Sequence, residues 1–124
     1  MENKELKQMK IDTVITLDEY LNALIEDASN VAELFREDEI SQGLFFISNI
    51  SEAIEVVCQA VIEIQSILTE EFDLDNLNNF MNEMIQALEN EDYILLGDLL
   101  EYEIIPILEN LKINIEKTIK LNLN

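Results

Sequence analysis

From Ile40 onward the apolar residues recur in sevens. Ile40, Ile47, Ile54, Val61 and Leu68 form one row, Ile50, Val57 and Ile64 lie beside it, and Phe46, Ala53, Ala60 and Ile67 make a third. A repeat sustained over that length specifies a helix packed on other helices. Three rows are wider than a single seam, and only Glu52, Glu55, Gln59, Glu63 and Ser66 leave a clearly polar strip. Such a helix needs cover on several sides, so it is expected either as the central member of a bundle or as part of a homodimer interface. Gly43, early in the run, costs about 1 kcal/mol relative to alanine inside a helix. It offers an alternative break between this helix and the one before it.

The remaining segments supply partners of the same kind. Residues 1–15 mix Lys and Glu ahead of Ile11, Val14 and Ile15 and are expected as a frayed or loosely docked arm. Thr16-Leu17-Asp18-Glu19 has the form of a capping box, so the first helix is expected to start there. It would carry Leu17, Leu21, Leu24, Ile25, Ala28, Val31, Ala32 and Phe35 inward and end near Arg36. Glu37-Asp38-Glu39 reads both as a short connection and as the acidic first turn of the next helix, where carboxylates favour the positive end of the dipole. After the heptad helix, Glu70–Asp75 reads as a turn with Asp73 or Asp75 as N-cap, followed by a short third helix presenting Leu77, Phe80, Met81, Met84, Ile85 and Leu88. Asp92 can cap a last helix, whose stripe is Leu96, Leu100, Ile104, Ile107, Leu108 and Leu111. Pro106 falls inside it, where the missing N–H and the ring predict a kink that frees the carbonyl of Tyr102.

Four helices with short connections predict an all-α, up-down-up-down four-helix bundle over residues 16–121, with its last helix kinked at Pro106. A chain of 124 residues can bury one real core without staples.

Charge is the strongest global property: 27 acidic against 7 basic residues give a net charge of −20. All the lysines lie near the ends, and between Lys10 and Lys112 Arg36 is the only base. The predicted topology gathers Glu37, Asp38, Glu39, Glu89, Glu91 and Asp92 at one pole and sets the lysines beside Glu70–Asp75 at the other. Such a body repels phosphate backbones and anionic lipid and attracts basic partners or cations. No run approaches the roughly 20 apolar residues of a membrane span, and no leader is visible, so a cytosolic location is expected. The lone Cys58 lies on the most apolar helix and is read as a small buried hydrophobe in a reducing compartment.

Histidine is absent, which removes histidine-based triads and the Glu-x-x-His ligands of di-iron bundles. No Gly-rich phosphate loop or EF-hand spacing occurs. Neither a catalytic site nor a cofactor is therefore expected. What remains is Tyr93, Asp98, Glu101, Tyr102 and Glu103 near the Pro106 kink, where a carboxylate beside a freed carbonyl and a phenol could take a cation or an amine, or where one acid simply hydrogen-bonds Tyr102 or Tyr93 at the bundle edge. Apolar excess at Phe45-Phe46 with Ile62 and Ile67, and at Ile94-Leu95 with Ile105, points either to a partner or a second subunit or to burial against the first and third helices.

The run Asp92-Tyr93-Ile94-Leu95-Leu96-Gly97-Asp98-Leu99-Leu100-Glu101-Tyr102-Glu103 through Pro106 resembles a segment of small uncharacterised helical proteins of low-GC Gram-positive bacteria. No activity comes with that resemblance. In size, acidity and helical content the chain is also similar to bacterial export and flagellar chaperones. The expected function is protein binding by an adaptor- or chaperone-like bundle that forms a homodimer and selects a basic segment. The alternatives are a cation or small-molecule site at the kink, and an acidic mimic of nucleic acid.

Overall fold

The computed structural model describes residues 2–123. It contains four rods: α1 (Glu2–Arg36), α2 (Ile40–Ile64) with a 3-10 turn at Gln65–Ile67, α3 (Leu74–Glu89), and a last rod in three consecutive pieces. These pieces are α4 (Tyr93–Leu99), a π-helical turn (Leu100–Ile104) and α5 (Ile105–Leu123). No strand is present among the described residues. Arg36 at the end of α1 pairs with Glu101 in the π turn, and Lys112 on α5 reaches Asp18 farther back on α1, so α1 and the last rod run antiparallel. The up-down-up-down bundle is therefore the observed architecture.

Packing follows heptad seams. The buried residues of α2 are Gly43, Ile47, Ile50, Ile54, Val57, Val61 and Ile64, a strict alternation of four and three. On α1, Val14, Leu17, Leu21, Leu24, Ala28, Val31 and Phe35 repeat the alternation. Two such seams pack as neighbouring knobs and holes. The central rod is α1, which packs against α2, α4, the π turn and α5. The wider rows of α2 expected to need cover do not receive it: Phe46 is exposed, and Ala53, Ala60 and Ile67 are only half-buried. Small residues explain the exchange of roles, because Ala28 and Ala32 let α1 be approached from two sides, whereas α2 meets α1 by a single edge.

The first helix begins at Glu2, without a break at Thr16, so the expected arm is helix throughout its described part; Met1 lies outside the described residues. Ile11 and Val14 extend the buried stripe N-terminally, and the Thr13 hydroxyl donates to the Met9 carbonyl at 3.0 Å, a bond made within a running helix. Thr16 consequently caps nothing. Residues 3–9 are exposed all round.

Both tight turns at the acidic pole close in one way. Glu39 N–H donates to Leu34 O at 2.8 Å and Asp38 N–H to Phe35 O at 3.3 Å; Asp92 N–H donates to Ala87 O at 2.8 Å and Glu91 N–H to Leu88 O at 3.1 Å. These are Schellman closures, with Asp38 (φ 63°) and Glu91 (φ 55°) in the left-handed position usually given to glycine. The break between the first two helices is thus Glu37–Glu39. Gly43 lies inside α2.

At the opposite pole the longer α2–α3 connection is tied down by side chains. The Asn114 amide accepts from Thr69 Oγ1 at 2.8 Å and from Glu70 N–H at 3.3 Å, and donates to Glu70 O at 2.7 Å. Gln65 brackets Phe72 in the same manner, at 3.0 and 2.9 Å. Asp73 caps α3 through Asn76 N–H. Lys117 lies 3.8 Å from Glu70, so opposite charges do meet at this pole.

Pro106 is accommodated by a widened, π-helical turn just before it. Ile105 N–H reaches back five residues to Leu100 O, and Pro106 then has no N–H to offer. The turn also aligns the buried face. Leu96, Leu100, Ile104 and Leu108 are spaced by four, and each such step drifts about 40° on an ordinary 3.6-residue helix. One wider turn absorbs much of that drift and keeps all four buried.

Candidate functional site

The residues singled out near Pro106 do not form one site. Tyr93, Asp98 and Glu101 share a shallow pocket with Ala32, Phe35, Arg36, Ile94 and Gly97, about 170 Å³ in volume. Of its two carboxylates, that of Glu101 is already engaged in an ion pair with Arg36. Tyr93 stacks on Phe35, ring centroids 6.2 Å apart and planes 7° from parallel. Tyr102 and Glu103 are exposed and lie outside this pocket. Arg36 stands 65 positions from Glu101, so spacing along the chain does not reveal the pair and only the fold brings it together. Among the described residues no group of three acidic or cysteine side chains converges on a point where a metal ion could sit.

The two glycines prove to be packing devices. A Cβ on Gly43 would stand 2.7 Å from Phe35 Cε1, and one on Gly97 would stand 3.2 Å from Phe35 Cβ. Phe35 therefore reaches its buried position only because α2 and α4 each omit a side chain beside it.

The outer side of α2 leaves several apolar side chains unpartnered. Phe45 is 72% exposed, Ile62 62%, Val56 52% and Phe46 42%, and Phe45 and Phe46 pack edge to face with centroids 5.0 Å apart. Its two halves differ in charge. Residues 40–51 carry no ionisable side chain, and beyond them come Glu52, Glu55 and Glu63.

Alongside the second half, α2 and α3 stand apart and leave a groove of about 950 Å³. Ile54 forms its floor, Val56, Cys58 and Ile62 line one wall, and Met81 and Ile85 line the other. Ile85, expected inward, is half exposed here because α3 packs on α4 and the π turn and leaves α2 on its free side. Cys58 is correspondingly half-buried, and desolvation, with the negative charge of Glu55 adding to it, pushes its thiol pKa up. A thiol so placed is held neutral and unreactive.

On the last rod Ile94 and Leu95 are exposed, whereas Ile105 is buried. By length and composition the continuous 28-residue stretch Ile40–Ile67, which contains an 18-residue window of mean hydropathy 1.5, would also pass as a membrane span, contrary to the expectation that no apolar run approaches that length. Within its apolar window 28% of residues are buried in the fold.

Seam, glycine contacts and outer face together define an acidic all-α bundle that exposes one heptad helix. Over residues 12–114 the chain matches the family described as domain of unknown function DUF8042, and it belongs to that family. No curated protein and no solved structure matches it.

Proposed function

We propose that this protein is a non-enzymatic, adaptor- or chaperone-like bundle of the cytoplasm that binds a basic segment of another protein. The observation that carries the reading is the outer face of α2, where Phe45, Phe46, Val56 and Ile62 are uncovered on a body of net charge −20. Apolar area supplies contact energy, and one-signed charge around it selects and steers a cationic partner. Arg36, the one base between Lys10 and Lys112, is occupied by Glu101 and does not offset that charge for an incoming chain.

A homodimer is the companion reading, and one observation favours it. Residues 40–51, around Phe45 and Phe46, are free of charge. It is here that two strongly anionic copies can meet without setting carboxylates against each other. Phe45→Glu/Phe46→Glu should convert a dimer to a monomer in light scattering, and a wild-type chain that is monomeric at high concentration removes the companion reading.

Partner binding is tested by a photo-crosslinking residue at Val56, with one at exposed Glu109 as control. Adducts formed at Val56 and absent at Glu109, joined to Lys- and Arg-rich peptides, are the expected result. Absence of any adduct specific to Val56 would overturn it.

A further inference from the structure

The groove between α2 and α3 has the dimensions and chemistry of a seat for a helix. We infer that it takes an amphipathic helix with a cationic flank, supplied by a different protein. The inference rests on the protein-binding reading above and assigns it a place and a ligand class.

Length comes first: from Glu52 to Ile62 the α2 wall runs about 15 Å, roughly three helical turns. A helix of about three turns, some 16 Å long and 10–12 Å across, matches that length, and the groove, about 950 Å³ and open on its outer side, leaves one of its faces to solvent. The lining supplies apolar contacts: Ile62 on α2 and Met81 and Ile85 on α3 border the groove around Ile54, with Val56 at its outer edge. Met81 adds adaptability, since its unbranched side chain repacks around different anchors.

Charge decides between occupants. The ionised residues at this groove are Glu52 and Glu55, with Gln59, Asn78 and Asn82 completing the polar rim and no base among the lining residues. A second copy would bring the same carboxylates against these two, and an acidic helix would meet them with like charge. A lysine- or arginine-bearing flank over an apolar stripe satisfies both the rim and the floor. The self-association surface at Phe45 and Phe46 lies on the other, uncharged half of α2, so both contacts can exist on one molecule.

The test uses the full chain and a fluorescent model peptide of about four turns, built from leucine and lysine with leucines on one face. A scrambled peptide of equal composition and a leucine–glutamate peptide serve as comparisons. Anisotropy titrations at physiological salt should show tight binding of the amphipathic cationic peptide, weaker binding of the scrambled one and none of the acidic one. Ile62→Glu/Ile85→Glu, at half-exposed positions, should weaken it about tenfold or more. Glu52→Gln/Glu55→Gln should weaken it severalfold and flatten its salt dependence. Glu109→Gln, exposed on α5 and outside the groove, should leave it unchanged, and circular dichroism verifies that each variant is folded.

Equal affinity for the scrambled peptide would reduce the effect to charge attraction and overturn the inference. So would loss of binding in the Phe45/Phe46 variant with the groove variant intact, although binding by α2 would then still stand. Sedimentation showing that Ile62→Glu/Ile85→Glu dissolves a dimer would give the groove to a second copy and likewise overturn it. No binding of the model peptide, alongside specific Val56 adducts, would reject the helical ligand and keep the protein-binding function.

Discussion

Phe35 is where the packing of this protein is least forgiving. Its ring lies under Gly43 of α2, its Cβ lies under Gly97 of α4, and its face stacks on Tyr93. Gly43→Ala relieves a helix-propensity penalty of about 1 kcal/mol. It also drives a methyl group to within 2.7 Å of the ring, and overpacking of this kind costs about 1–3 kcal/mol. Because Tyr93 limits the ring's retreat, the clash should win, and urea denaturation should show a net loss of stability. Phe35→Leu removes the ring atoms that the added methyl would strike. The double variant should therefore be more stable than the sum of its single effects by about 1 kcal/mol. A stabilised Gly43→Ala single variant would show that the ring moves freely. None of this was legible in the sequence, where Gly43 read as a break, because a missing side chain does not name the neighbour it admits. Tyr93, Asp98 and Glu101 could be grouped from their spacing on one helix, but Arg36 could not, since only the fold brings the end of α1 beside the π turn.

At the scale of the element, the two Schellman turns place an aspartate and a glutamate where an L-residue is strained. Glycine at either position relieves that strain and removes a carboxylate from the negative end of a helix dipole, partly offset by the greater freedom glycine gives the unfolded chain. Asp38→Gly and Glu91→Gly should each raise stability by about 0.5–1 kcal/mol, additively because the turns are separate. A thermal melt checks the sum, and a loss of stability in either variant would show that the side chain makes a contact worth more than the strain. The heptad of α2 was legible because Ile and Val mark every seam position after Gly43. The start of α1 was not, because alternating Lys and Glu mask a helix whose stripe begins only at Ile11. Nor was the central place of α1, since total hydrophobicity favours α2 and the deciding feature is small residues, Ala28 and Ala32, that admit neighbours on two sides. The α2–α3 groove depends on which rod α3 chooses to pack against, and its Leu77-to-Leu88 stripe fits either.

Across the whole molecule the surplus of carboxylates acts against the fold, because a compact body of charge −20 holds its like charges closer than the extended chain does. Salt should therefore stabilise this protein. Raising ionic strength from about 0.01 to 0.3 M shortens the screening length from about 30 Å to well below 10 Å. It should lift Tm by several degrees, a change of about 1–2 kcal/mol for a domain of this size. The attractive pairs oppose that trend only weakly. Lys112 bridges Asp18 and Glu116 at 2.9 Å each, and its pKa is raised chiefly by the hydrogen bond to Asp18. A lysine with a raised folded value stabilises fully below its ordinary 10.5 and loses that contribution only as pH climbs through the raised value. Between pH 6 and 9 this pair is constant, so the salt response there reports the unpaired carboxylates. The acidic pole should dominate it: Glu37 and Glu89 are exposed at the ends of α1 and α3, where their charge also opposes the helix dipole. Glu37→Lys/Glu89→Lys should raise Tm at low salt and converge on the wild-type value as salt rises. A salt-independent increase would assign the gain to local helix propensity, and a wild-type Tm that falls with salt would mean that ion pairs, rather than repulsion, govern this surface.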